Sequence, residues 1–223
     1  METIGVIDYG MGNLHSLAKS LERVAGNQRI VISYDPKALL ECDRLVLPGV
    51  GGVRACMDEL RRLELDQMVI EAARKRPLLG VCLGMQVLME RSDENGGVNA
   101  LGLIPGAVVR FPDPPPETEL GPEPGWQQER LKVPHMGWNQ VSQMRPHPVW
   151  AGVPDQSWFY FVHSYHAAPQ NPAHILGSAD YPLPFAAAVA RDNIVGFQFH
   201  PEKSQDVGLR LLANFVNWNG ESA

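Results

Sequence analysis

Short apolar runs alternate with amphipathic stretches through the first half of the chain. TIGVID, from Thr3, reads as a strand that ends in the glycine loop YGMGN. In LHSLAKSLERVAG the apolar residues recur at helical spacing, with Asn13 as a candidate N-cap and Gly26 as a stop. RIVIS reads as a strand, DPKALLEC as a short helix and RLVL as a third strand. PGVGG then turns into a helical stretch reaching about Arg74, before the strand PLLGV and a helix opening near Leu83. This alternation predicts an α/β fold, a three-layer sandwich with helices on both faces of a mostly parallel central sheet.

The pattern changes in the second half. IPGAVVRF and QSWFYFVHSYHA are strand-like, and AAAVARDNIVGFQFH reads as two strands joined at Arg191-Asp192-Asn193. A last amphipathic helix, DVGLRLLANFVNWN, closes the pattern. Between these lies PDPPPETELGPEPGW, too poor in apolar residues to pack, which predicts an exposed loop at residues 112–130. No internal repeat interrupts the order, so residues 1–223 are read as a single domain.

Composition narrows the class. The chain is 44% hydrophobic and 20% charged, the balance of a soluble globular protein. A formal charge of -6 argues against a nucleic-acid partner, which needs clustered Lys and Arg. No apolar run approaches the roughly 20 residues of a membrane span, and METIGVIDYG has no secretory pattern. The three cysteines form no CxxC, which suggests neither a disulfide framework nor a zinc site and leaves a reducing cytoplasm as the expected setting.

Three local patterns carry chemistry. In PLLGVCLGMQ a strand runs into Cys82 and a helix opens behind it, like the nucleophile elbow of serine hydrolases. The positive end of a helix there favours a thiolate, and Gly80 and Gly84 leave room for the turn and for substrate. A buried apolar cysteine fits the same segment, and the segment alone does not choose. Cys42 and Cys56 lie in ordinary helix-like contexts. In GFQFHPEKS, His200 and Glu202 are two apart, so in an extended segment the carboxylate can hold one ring nitrogen while the other faces a nucleophile. A strand-end histidine beside a surface Glu is the plain alternative. The other six histidines show no HExxH spacing. The glycine turn LPGVGG can converge backbone N–H groups on an oxyanion, or simply turn the chain. In DYGMGNLH, His15 replaces the third glycine of a dinucleotide fingerprint, which makes a Rossmann cofactor site a poor reading.

Taken together these pieces resemble the class I (triad) glutamine amidotransferases. GVCLGMQ and GFQFHPEKS match that family's two signature segments, and VPHMGWN with FVHSYHA narrows the resemblance to glutaminase subunits of imidazole glycerol phosphate synthase. The similarity runs from IGVIDYGMGNLHS to FQFHPEKS and departs in the proline-rich insertion. It implies a flavodoxin-like amidotransferase fold with Cys82 as nucleophile, His200 as acid and base, and Glu202 orienting it. It further implies an oxyanion hole from Leu83, Val50 and Gly51, completed by a peptide flip of that turn. Gly49, Gln86, Glu94, Ser164 and Tyr165 are the implied glutamine contacts. The implied partner is a (β/α)₈ cyclase subunit in a heterodimer, which takes the ammonia to make imidazole glycerol phosphate and an aminoimidazole carboxamide ribotide in histidine biosynthesis. His135, Met136, Gly137, Trp138 and Asn139 are the implied interface or gate, against the alternative of a core Trp beside a turn. No metal and no cofactor is called for. A glutaminase for pyridoxal phosphate synthesis or another amidotransferase, a catalytically silent binding subunit, and a cysteine peptidase or thiol hydrolase on a related fold remain the competing readings.

Overall fold

The computed structural model describes residues 1–112, 132–181 and 183–221. The expected proline-rich loop therefore lies outside the described residues, apart from Pro112.

Strands β1 (Thr3–Ile7), β2 (Arg29–Ser33), β3 (Arg44–Leu47) and β4 (Leu78–Val81) form where the apolar runs predict them. With β13 (Ile194–Phe197) they pair in the order β2-β1-β3-β4-β13, all parallel. Strands β3, β4 and β13 are buried at every position, because helices cover both faces of a parallel sheet. On one face, helices α1 (Leu14–Val24) and α6 (Gln205–Asn217) bury Leu17, Leu21, Leu211 and Phe215 with Ile4 and Val6. On the other, α2 (Pro36–Leu40), α3 (Val53–Arg62) and α4 (Leu65–Ala72) bury Leu39, Met57, Leu60 and Val69 with Ile7.

A mainly antiparallel set of strands extends this sheet. β12 (Pro184–Arg191) leads into β13 through the Asp192-Asn193 turn and pairs with it antiparallel, with Asp192 at a φ of 51°. Beyond β12 follow β10 (Tyr165–Pro169), β7 (Ile104–Arg110), β5 (Met89–Ser92) and β6 (Val98–Asn99). A branch from β12 runs through β11 (Ile175–Asp180) to β8 (His135–Gln143) and β9 (Ser157–His163).

Several local expectations change. The helical stretch to Arg74 is two helices, because Glu64 takes a left-handed φ of 57° and re-aims the chain so that Leu65, Met68 and Val69 also bury. QSWFYFVHSYHA is two strands, interrupted at Ser164. Asn13 sits at the N-cap of α1 without a side-chain capping bond; its amide reaches Glu202 instead, at 3.4 Å. VPHMGWN enters β8 rather than a turn, and Trp138 is 43% exposed, so it is not a core Trp. Among the described residues, no helix is long and apolar enough to cross a membrane.

Candidate active site

Because β1, β3, β4 and β13 are parallel, the loops after their carboxyl ends emerge at one edge of the sheet, where open α/β folds place their ligands. Those loops carry the glycine turn at Pro48–Gly52, Cys82, and the segment from Gln198 to Glu202. Helix α5 (Leu83–Gln86) follows β4 directly. Cys82 links them at φ 54° and ψ −110°, a strained turn that costs on the order of 1–3 kcal/mol. The backbone around it holds the strain, with Cys82 N donating to Phe197 O at 2.7 Å and Gln86 N to Cys82 O at 3.2 Å.

Helix α5 has only four residues, too few to support the dipole argument made for the thiolate. Nor do the glycines make room for substrate. A Cβ on Gly84 would run into the Leu47 carbonyl, and one on Gly80 would meet the Gly84 backbone. Both are needed for the approach of α5 to β3 and β4.

His200 follows β13, and its ring is buried. Nδ1 bonds Glu202 Oε1 at 2.8 Å, with both side chains 1% exposed. Pro201–Lys203 form a single 3₁₀ turn, so it is this turn, not extended spacing, that brings the carboxylate to the ring. Burial opposes charge on His200, but Cys82 and Glu202 outweigh it and raise its pKa to about 9. Nε2 has no hydrogen-bond partner among the described residues, and Cys82 is the neighbour that acts on it. The other cysteines are buried apart from this chemistry. Burial pushes the Cys56 thiol up to about 12 and raises that of Cys42.

A cavity of about 300 Å³ opens over Cys82. It collects Val50, Gly51, Leu83, Gln86, Glu94, Ser164, Tyr165 and His200, all named from the sequence. Glu202 stands behind His200, and Gly49 is packed against Tyr9, Leu83 and Gly84 with no space for a side chain. Leu83 N donates to Gly49 O at 3.3 Å, so this N–H is already occupied. Glu94 Oε2 accepts from Val53 N at 2.7 Å and caps α3. His135, Met136, Gly137, Trp138 and Asn139 line a different cavity, of about 680 Å³, with Trp158 and Tyr181.

Pro134, Val162 and His163 also line the first cavity, and Gln198 lies beneath it with no exposure. None of these was selected from the sequence. Gln198 lies inside the GFQFHPEKS motif that was selected, and its polarity in an apolar strand end was the available signal. His163 lies in FVHSYHA, a segment that narrowed the resemblance, though the residue itself was not singled out.

A cysteine on an elbow, a buried His-Glu pair and a glycine turn meet on one sheet edge, an arrangement with the groups that thiol-dependent acyl transfer requires. Residues 5–218 match the family described as Glutamine amidotransferase class-I, and the chain belongs to that family. It is 54% identical to the imidazole glycerol phosphate synthase subunit HisH of Methylococcus capsulatus, covering 98% of this chain and 97% of that one. The subunit of the same name from Nitrosococcus oceani is 51% identical over the full length of both chains. HisH 1 of Pseudomonas aeruginosa is 52% identical over 99% of each. Each of these relatives is by name a subunit of a synthase. The fold is also shared with a solved glutamine amidotransferase (TM-score 0.69, 15% identity, 96% of this chain and 99% of that one). PurLQS of Thermotoga maritima is similar at a TM-score of 0.67 and 14% identity, over 97% and 98% of the two chains.

Proposed function

We propose that the whole chain acts as one glutaminase domain, the glutamine-hydrolysing subunit of an imidazole glycerol phosphate synthase. The observation that carries this reading is the buried His200–Glu202 pair at 2.8 Å beneath a cavity that also opens on Cys82. The Cys82 thiolate attacks the side-chain carboxamide carbon of glutamine, and a tetrahedral oxyanion forms. His200, protonated at neutral pH, gives its proton to the amide nitrogen, and ammonia leaves a thioester on Cys82. The ring then takes a proton from water, hydroxide attacks the thioester, and glutamate departs. Glu202 keeps the ring oriented and stabilises its charge.

Gln86 lines the cavity and uses its Nε2 on Tyr165 and Gln198, which supports its Oε1 as the acceptor of the substrate amide N–H. Glu94 keeps Oε1 for the α-ammonium, and the Ser164–Tyr165 backbone serves the α-carboxylate end. The oxyanion hole is drawn from Leu83 and the Val50–Gly51 turn. With Leu83 N–H held by the Gly49 carbonyl, the turn must rotate before that donor is free, which supports low activity in the isolated chain.

The partner is a (β/α)₈ cyclase that receives ammonia directly and forms imidazole glycerol phosphate and the aminoimidazole carboxamide ribotide. Met136, Trp138 and Trp158, exposed at 63%, 43% and 53%, offer the aromatic and Met surface that protein interfaces concentrate. A glutamine-analogue affinity label tests the site: with cyclase and ligand present, it should modify Cys82 and leave Cys42 and Cys56 free. Failure to label Cys82 under those conditions favours a silent binding subunit.

A further inference from the structure

Gln198 is a fully buried amide immediately after β13. A buried amide costs a few kcal/mol unless both of its ends are satisfied, so its two contacts need explaining. One end meets Gln86 Nε2 at 3.1 Å. The other lies 3.9 Å from the Cys82 sulfur.

Which end faces the sulfur is decided by a chain of bonds behind it. The Tyr165 carbonyl can only accept, so Gln86 turns its nitrogen toward it, at 2.8 Å. The second hydrogen of that same nitrogen goes to Gln198, which must therefore present its oxygen to Gln86 and its N–H to Cys82. The Tyr165 carbonyl also takes a bond from His163 Nδ1 at 2.9 Å, so Nδ1 carries the hydrogen. Burial keeps His163 neutral, with His135 adding to the effect, and lowers its pKa to about 3. Its Nε2 is then an acceptor, and His135 Nδ1 donates to it at 2.9 Å. His135 is held neutral by burial in turn, at about 4, and its Nε2 accepts from Asn139 Nδ2 at 3.4 Å. Two donor series meet at the Tyr165 carbonyl: one comes from Asn139 through His135 and His163, and Gln86 donates to it from the other side while passing its second hydrogen to Gln198, which leaves the Gln198 N–H for the sulfur.

We propose that Gln198 is a further residue of the catalytic machinery, whose side-chain N–H stabilises the Cys82 thiolate and holds the sulfur in place. An apolar residue of the same volume would fill the site equally well but would offer the anion no donor. The titratable groups that act on the sulfur from other elements are His200, backed by Glu202, and Tyr9. Gln198 is the neutral donor among its neighbours, and its effect adds to theirs. The proposal rests on Cys82 being the nucleophile of the glutaminase reading.

The test is the pH dependence of Cys82 alkylation by iodoacetamide, followed residue by residue by mass spectrometry in the full chain bound to its cyclase. Gln198→Met removes the donor at similar volume, and Gln198→Glu turns an acceptor on the sulfur. Loss of one charge-assisted bond predicts about tenfold slower alkylation at pH 7 for Q198M and more for Q198E. The rates should meet the wild-type value at alkaline pH, because only the fraction of thiolate changes. If Q198E does not fold, Q198M alone decides. Profiles of Q198M and wild type that superimpose overturn the proposal, since a merely structural amide changes stability and not the titration. A Q198M profile shifted from wild type, together with a wild-type complex that releases no glutamate from glutamine, refutes the glutaminase reading and leaves the Gln198 contact standing.

Discussion

His200 Nδ1 and Glu202 Oε1 lie 2.8 Å apart, with both side chains almost completely removed from water. A carboxylate this buried is tolerated because the ring shares its charge, and Asn13 adds a second contact at 3.4 Å. Glu202→Gln keeps the shape and removes the charge. Turnover in the activated complex should fall about 100-fold or more, with little change in KM. Steady-state kinetics of the folded variant check this, and unchanged kcat would mean that Glu202 is only a packing group.

The raised pKa of His200 has a definite sign. Its folded value of about 9 lies above the ordinary 6.5, so its contribution to stability is whole below pH 6.5 and is lost as pH rises through 9. The proton needed by departing ammonia disappears over the same window. Glutamine hydrolysis should decline above about pH 9, and the stability difference between wild type and Cys82→Ser should shrink there. Activity that stays level to pH 10 would contradict the assignment.

The buried neutral histidines act in the opposite direction. His135 and His147 are lowered to about 4 and His163 to about 3, chiefly by burial, while the unfolded chain protonates near 6.5. Their contribution is present above pH 6.5 and is lost as pH falls toward 4. The His200 contribution is constant across that range, so it does not mask theirs. Thermal unfolding should drop by several degrees between pH 6.5 and 4, and His163→Gln should flatten that slope.

The framework of the site was legible because it is local in the chain. β1, β3 and β4 are short, mostly apolar runs, and Cys82 and His200-Pro201-Glu202 stand at strand ends inside short motifs. The rest depends on contacts distant in sequence. Gln86 meets Gln198 across 112 positions, and His135 meets His163 across 28, so neither pairing leaves a periodic signal. The break at Glu64 carries no Gly or Pro to mark it. Gly84 reads as an open position until β3 is seen to pass behind it, where the Leu47 carbonyl excludes any side chain.

Trp138 lies on the second cavity and makes an edge contact with Tyr160, away from the sulfur. Trp138→Ala should weaken association with the cyclase by about 2 kcal/mol, the scale of an interface anchor. Alkylation of Cys82 in the isolated chain should be unaffected. Titration calorimetry measures the first and mass spectrometry the second. Undiminished affinity would move the docking face elsewhere.

The most direct measurement is glutamate release from glutamine by the chain alone, with the cyclase, and with the cyclase and its ribotide ligand. The expected result is low activity alone, a strong rise in the liganded complex, and none in Cys82→Ser under any condition. Glutamine hydrolysis that persists in Cys82→Ser, or no hydrolysis in the liganded complex, would contradict it.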